Sequence, residues 1–178
     1  MSKVYLGIDN GATGTISICV YGEISHFPMP VKKELSYTKK KQYVSRIDIS
    51  KLKRILEDFL ILRDKKGNPD FTKERDIFCL LERPMINPLR FKQSISAARA
   101  LESVLIVLED LVIPYQYIDS REWQKMFIPT GILNLKSKKK STELKRAAVS
   151  IAKRLFPKIK TKDADSLLIM EYARRKRL

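Results

Sequence analysis

Residues 1–24, MSKVYLGIDNGATGTISICVYGEI, decide the fold. "VYLGID" and "TGTISICVY" are rich in Val, Ile, Tyr and Thr, the residues that suit a pleated, buried surface, and a glycine-bounded turn separates them. They predict two consecutive β-strands joined as a hairpin, with "GEISHFPMP" as a third strand. An acid, Asp9, ends the first apolar run and sits between glycines. A charge there needs a reason.

Working outward, residues 31–46, VKKELSYTKKKQYVSR, show no clear period and several lysines, and read as a mobile basic loop. From Asp48 onward Leu52, Leu56 and Phe59 recur at helical spacing behind a cap at Asp48 or Ser50, predicting a helix that ends near "RDKKGNPD". "DIFCLLERP" is a short apolar run with polar bounds, the pattern of a strand buried on both faces, and it ends at Glu82. In residues 90–112 the side chains Phe91, Ile95, Ala98, Leu101, Leu105, Leu108 and Val112 keep three-and-four spacing and predict a long amphipathic helix whose stripe packs on the sheet or joins a dimer surface. "IPYQYID" supplies another strand and "SREWQKMF" a short helix. A longer helix follows, with Leu144, Ala148, Ile151 and Leu155 on one side, and the last helix begins at "DADSLLIMEYARRKRL". The order of three strands, helix, strand, helix, strand and helices predicts a mixed-sheet α/β domain spanning residues 1–178.

Charge narrows the partner. The chain of 178 residues carries 36 Lys+Arg against 20 Asp+Glu, a formal net charge of +16, which points to a polyanionic partner, nucleic acid first. No apolar run reaches the roughly 18 to 20 residues of a membrane span and no signal-peptide pattern precedes the first strand, so a cytoplasmic protein without membrane partners is expected. Cys19 and Cys79 both lie in strand-like apolar runs and read as small buried hydrophobes. His26, the one histidine, cannot build a zinc site alone.

The acids share a position in the elements. Asp9 ends the first strand, Glu82 ends a later one, and Asp163 and Asp165 begin the final helix. Ligands of α/β sheets gather at strand ends, where acids from separate elements converge. Converging carboxylates repel unless a cation neutralises them, and hard oxygen ligands suit Mg²⁺ or Mn²⁺; two such ions about 4 Å apart activate a water and stabilise a leaving oxygen in phosphodiester cleavage. Taken singly, each acid also has a plain structural reading: Asp9 as a turn residue beside Gly11, Glu82 as the partner of Arg83, Asp163 as a helix cap.

The pattern over nearly the whole chain resembles the RuvC-like Holliday junction resolvases, especially the short bacteriophage and poxvirus forms, within the RNase H-like superfamily. "GIDNGATGTISI" is similar to that family's first strand and turn, "LLERP" to the strand bearing its glutamate, and "KDADSLLIMEYARR" to its last helix. "WQKMF", "KSKKKS" and "AKRLFP" resemble its connecting region. The resemblance implies an RNase H-like mixed five-stranded sheet flanked by helices, with Asp9, Glu82 and Asp165 as metal-binding catalytic acids. The family often places another late acid three residues before the last; that position is Lys162 here, and Asp163, two residues before, is the candidate fourth ligand. The implied activity is that of a homodimer, with two Mg²⁺ ions (Mn²⁺ as a substitute) in each active site. It nicks four-way and related branched DNA in pairs and leaves 5′-phosphate ends, its twofold axis matching two symmetric strands.

Residues 136–162 hold 11 Lys+Arg and one acid, Glu143, so Lys136, Lys138, Lys139, Lys140, Lys145 and Arg146 are candidate phosphate contacts, a solvated helix face being the alternative. The loop from Lys32 to Arg46 is the candidate to grip a second arm. Met85, Ile86 and Phe91 follow Glu82, in the region where the family carries its junction wedge; ordinary core packing is the other reading for Phe91. Trp123 reads as a core anchor, or else as a base-stacking platform. Three other functions fit parts of the pattern: an RNase H-type or flap and branched-DNA nuclease, an actin-like ATPase or sugar kinase (which also begin "GIDxGxT"), and a non-catalytic junction-binding protein. The kinase folds need a second domain that 178 residues do not supply, and a purely DNA-binding surface gains nothing from acids that repel phosphate.

Overall fold

The computed structural model describes residues 3–36, 41–60, 76–136 and 140–178. The opening stretch forms β1 (Lys3–Ile8), β2 (Thr15–Val20) and β3 (Glu23–Pro28). β1 pairs antiparallel with β2, and β2 with β3. The second hairpin turns on Tyr21 and Gly22, both at positive φ (52° and 85°), the left-handed pair that matches strand twist in a two-residue turn. β6 (Asp76–Glu82) lies parallel to β1, and β7 (Tyr115–Ile118) lies parallel to β6. The sheet order is β3-β2-β1-β6-β7, a mixed five-stranded sheet with helices on both faces, as the RNase H-like reading requires.

Why the central strands read as unbroken apolar runs is visible in their packing. Val4, Leu6, Ile8, Cys79 and Leu81 enter one core with α1 (Ile49–Leu60) and α2 (Phe91–Asp110). Tyr5, Phe78 and Leu80 enter a second core with α3 (Ser120–Phe127), α5 (Lys140–Leu155) and α6 (Asp165–Lys176). Each strand is covered twice, so alternation disappears. Both cysteines are buried and free. A short helix, α4 (Thr130–Leu133), connects α3 and α5.

Two expectations change, and the Asp48 cap is found as read. The stretch 31–46 is not simply a loop: β4 (Val31–Leu35) and β5 (Tyr43–Ile47) pair as a separate antiparallel ribbon, with Lys32 and Arg46 both bound to Glu34 (2.9 and 2.6 Å). Its sequence lacked a hydrophobic period because the ribbon stands off the core, with Ile47 its one fully buried residue. The α1 helix begins on the Asp48 cap, whose Oδ1 accepts from the Lys51 N–H at 3.1 Å; its expected end near 63–70 lies outside the described residues. On α2 the expected stripe divides: Leu108 is buried, and Leu101 and Leu105 pack against the same core as Ala100, Val104 and Val107, whereas Phe91, Ile95 and Ala98 in the first turns, and Val112 just beyond the helix, are exposed. The core covers the later turns of the helix, and its first turns carry their apolar side chains into solvent.

Candidate active site

β1 and β6 run parallel with Ile8 beside Leu81, so the next residue on each, Asp9 and Glu82, emerge together at the carboxyl edge of the sheet. The turn after β1 closes tightly on Asp9. Its N–H donates to the Thr15 carbonyl at 3.0 Å, and a Cβ at Gly14 would collide with the Asp9 carbonyl, so only glycine fits there. From the other side, α6 crosses β1 at Gly7, where any side chain would overlap the Ser166 carbonyl and the Met170 backbone. That close crossing brings the first turn of α6, and Asp165 with it, beneath Asp9.

Asp163 precedes the helix rather than sharing its face. The helix starts at Asp165, and the Asp165 N–H donates to Asp163 Oδ1 at 3.2 Å. The irregular chain before α6 thus aims both acids to one side, which a regular helix could not do at a spacing of two. Asp9, Asp163 and Asp165 each present a carboxylate oxygen, all within 4.8 Å of one another. Asp163, one residue before the Ala164 N-cap, therefore takes the first N–H of α6 and joins the cluster at once.

Glu82 is tied in by hydrogen bonds. It accepts from Trp123 Nε1 at 3.2 Å and from Ser120, and its carboxyl lies against that of Asp9. Burial, then Glu82 and Asp163, pushes the Asp9 carboxyl up to about 8. Burial, then Asp163 and Asp9, raises Asp165 to about 7, and Lys145 pulls both down. Glu82 is raised by burial and by Asp165. Hard oxygen donors, crowded and half-desolvated, fit a divalent cation, whose charge would remove the repulsion.

Arg83 does not pair with Glu82. It points to Asp119 (3.7 Å) and lies over the Tyr117 ring. Trp123 is a core anchor, and its indole N–H also holds Glu82. That second role, like Ser120's, was not read from the sequence. The signal, a short helix starting directly after β7, becomes informative only once β7 is known to lie beside β6.

A cavity of about 470 Å³ opens beside the acids, lined by Glu82, Asp165, Trp123, Met85, Lys140 and Lys145 among others. Of the six candidate phosphate contacts, Lys140 and Lys145 line this cavity, Lys136 is exposed, Arg146 is exposed but paired with Glu143 (3.0 Å), and Lys138 and Lys139 lie outside the described residues. The wedge candidates are all exposed: Met85 at 82%, Ile86 at 57% and Phe91 at 69%, so Phe91 is not core. Leu89, 94% exposed beside them, belongs to the same apolar prominence and was missed. Phe91 lines a different groove, between the first turns of α2 and the β4–β5 ribbon.

No family model matches the chain, and no curated protein matches it. Among solved structures, Thermus thermophilus RuvC in complex with a Holliday junction substrate is similar over 97% of this chain and 96% of that one, with 13% identity and a TM-score of 0.48. A second T. thermophilus RuvC structure covers the same shares at 14% identity and a TM-score of 0.46.

Proposed function

We propose that the chain is a metal-dependent endonuclease that resolves four-way and related branched DNA junctions by paired phosphodiester hydrolysis, leaving 5′-phosphates. The observation that carries this reading is the convergence of Asp9, Glu82, Asp163 and Asp165 at one sheet edge, in a chain of net charge +16. The preference for junctions follows the sequence resemblance set out above. We assign two Mg²⁺ ions per site, with Mn²⁺ as a substitute. Divalent ions held there would activate a water and polarise the phosphate.

The chain's own residues do the rest. Asp9, Asp163 and Asp165 offer ligand oxygens, and Trp123 and Ser120 orient Glu82 toward them. Lys145 offsets the acids' charge and, on the wall of the same cavity, is placed to meet a phosphate oxygen. Residues 136–146 supply backbone contacts that position DNA without reading its sequence. We place the enzyme in the cytoplasm, acting as a homodimer. Exposed Phe91, Ile95 and Ile106 on α2 support a protein contact there. No helix among the described residues is long and apolar enough to cross a membrane.

One assay tests the reading. The protein is incubated with Mg²⁺ and, in parallel, a four-way junction, a linear duplex and an RNA–DNA hybrid. Paired symmetric nicks confined to the junction are expected; cleavage of the RNA strand in the hybrid would instead make it an RNase H-type enzyme.

A further inference from the structure

Beneath the acids runs a chain of side-chain hydrogen bonds whose direction is fixed from one end to the other. The Thr161 hydroxyl donates to the Asp163 carbonyl, and the Asp163 N–H donates back to Thr161 Oγ1 at 3.1 Å. With its proton committed, Thr161 Oγ1 can only accept from His26 Nε2, 2.9 Å away. His26 therefore carries its proton on Nε2. Its Nδ1 must then accept, and Ser17 Oγ donates to it at 2.9 Å. Ser17 in turn accepts from Ser166 (2.7 Å), and Ser166 accepts from Thr15 (2.8 Å). A neutral imidazole satisfies every member, and burial, which holds His26 below its ordinary range, favours that form.

These hydroxyls stand where an apolar contact would serve stability better. Ser17 and Ser166 are fully buried between β2 and α6, amid a core of Cys19, Leu167, Ile169 and Met170. A buried polar network is tolerated when complete and specifies one arrangement rather than adding much stability. Here the arrangement it specifies is the segment carrying the two late acids: Thr161 grips the chain at Asp163, and Ser166 grips it immediately after Asp165. The grip holds the segment ahead of α6 against the mutual repulsion of Asp163, Asp165 and Asp9.

We propose that His26 is a positioning residue for the acidic cluster: through Thr161 on one side and Ser17 with Ser166 on the other, it holds Asp163 and Asp165 at ligand distance for a divalent cation. The inference rests on the metal-site reading above. It is specific to this chain's own residues, because no part of the resemblance to resolvases assigns His26, Ser17 or Thr161 a role.

The test uses Mn²⁺ alone as the probe, titrated calorimetrically into the metal-free protein, with the melting temperature measured in parallel. His26→Leu and Thr161→Val should raise the Mn²⁺ dissociation constant about tenfold or more, the usual effect of losing a partner one shell out from the metal. Thr161→Ser and His26→Gln, which keep the donor and acceptor, should restore binding to within about twofold of the parent by the same argument. Equal affinity in the Leu and Val variants would overturn the proposal, and so would failure of both conservative variants to restore it. Thr161→Val is nearly isosteric and decides the matter should His26→Leu not fold. Nitrogen NMR of His26 in the metal-free protein should show a neutral ring protonated on Nε2; the Nδ1–H tautomer would overturn the donor chain whatever the metal does. A parent protein that binds no Mn²⁺ would instead sink the metal-site reading itself, and this inference with it.

Discussion

Asp9 concentrates the electrostatic strain of the cluster. Its carboxyl titrates near 8 and that of Asp165 near 7, against 3.8 for an unperturbed aspartate. The native metal-free protein therefore keeps protons that the unfolded chain has already lost. Their contribution to stability is complete below about pH 4 and is lost as pH rises through 7 and 8. The melting temperature of the metal-free protein should fall by several degrees between pH 5 and 8.5, and the fall should be smaller in Asp9→Asn. His26, lowered in the fold, works in the opposite direction near pH 6, so the difference between parent and variant is the quantity to read. Added Mg²⁺ should raise the melting temperature at pH 8 and have little effect at pH 5, where protons occupy the ligands. In activity, Asp9→Asn, Glu82→Gln, Asp163→Asn and Asp165→Asn should each lose about two to three orders of magnitude of cleavage, the scale of a lost electrostatic stabiliser, and still bind junction DNA. Near-parental cleavage by any of them would remove that residue from the site.

Between elements, one glycine decides the geometry. Gly7 lets α6 cross β1 in backbone contact, and a methyl group there has nowhere to go but into the Ser166 carbonyl and the Met170 backbone. Gly7→Ala should cost about 1 to 3 kcal/mol or more through overpacking, and it should cost activity as well, because it pushes Asp165 away from Asp9. Thermal melts and cleavage rates of the same preparation check this, and a folded, fully active alanine variant would show that α6 can retreat without moving its acid. Trp123→Phe probes a second junction of elements. It keeps most of the ring packing between α3 and β6 and removes the N–H that holds Glu82. Metal affinity should drop roughly tenfold or more with only a modest loss of stability.

Across the molecule, charge and chemistry occupy different places. The acids sit in a partly desolvated pocket, while most of the basic residues of 136–162 are exposed. Neutralising Lys136, Lys138 and Lys139 together should weaken binding to junction and duplex alike and lower the slope of log affinity against log salt by as much as about 2 to 3 units. Cleavage at saturating protein should hardly change. A variant that bound duplex normally and lost only the junction would mean that these lysines read the crossing strands. Phe91→Asp and Ile95→Asp on the exposed stripe of α2 should shift a dimer to monomers in sedimentation without unfolding the chain, since neither side chain belongs to the buried core. An unchanged mass would leave that stripe out of the interface.

Much was legible because burial writes itself into the chain. Strands covered on both faces read as mainly apolar runs, so β1, β2 and β6 announced themselves, and an acid at the end of such a run, as at Asp9 and Glu82, had to have a purpose. The same logic marked Asp165 at the start of the last helix. The β4–β5 ribbon escaped because exposed strands carry no apolar period, and α2 was read correctly only in its later turns, where Leu101, Leu105 and Leu108 meet the core, because spacing alone does not tell where along a helix the sheet stops covering it. By itself, then, the sequence marked the strands of the main sheet, the longer helices and the acids at their ends. Tertiary structure alone decided which groups serve them: Trp123 reaches Glu82 because β7 lies beside β6, Asp163 faces Asp165 because the helix starts late, and His26 reaches Thr161 across the edge of the sheet. The physical reason is common to all three. A local pattern records whether a side chain leaves water, but which distant group it then meets depends on strand order and on where a helix begins.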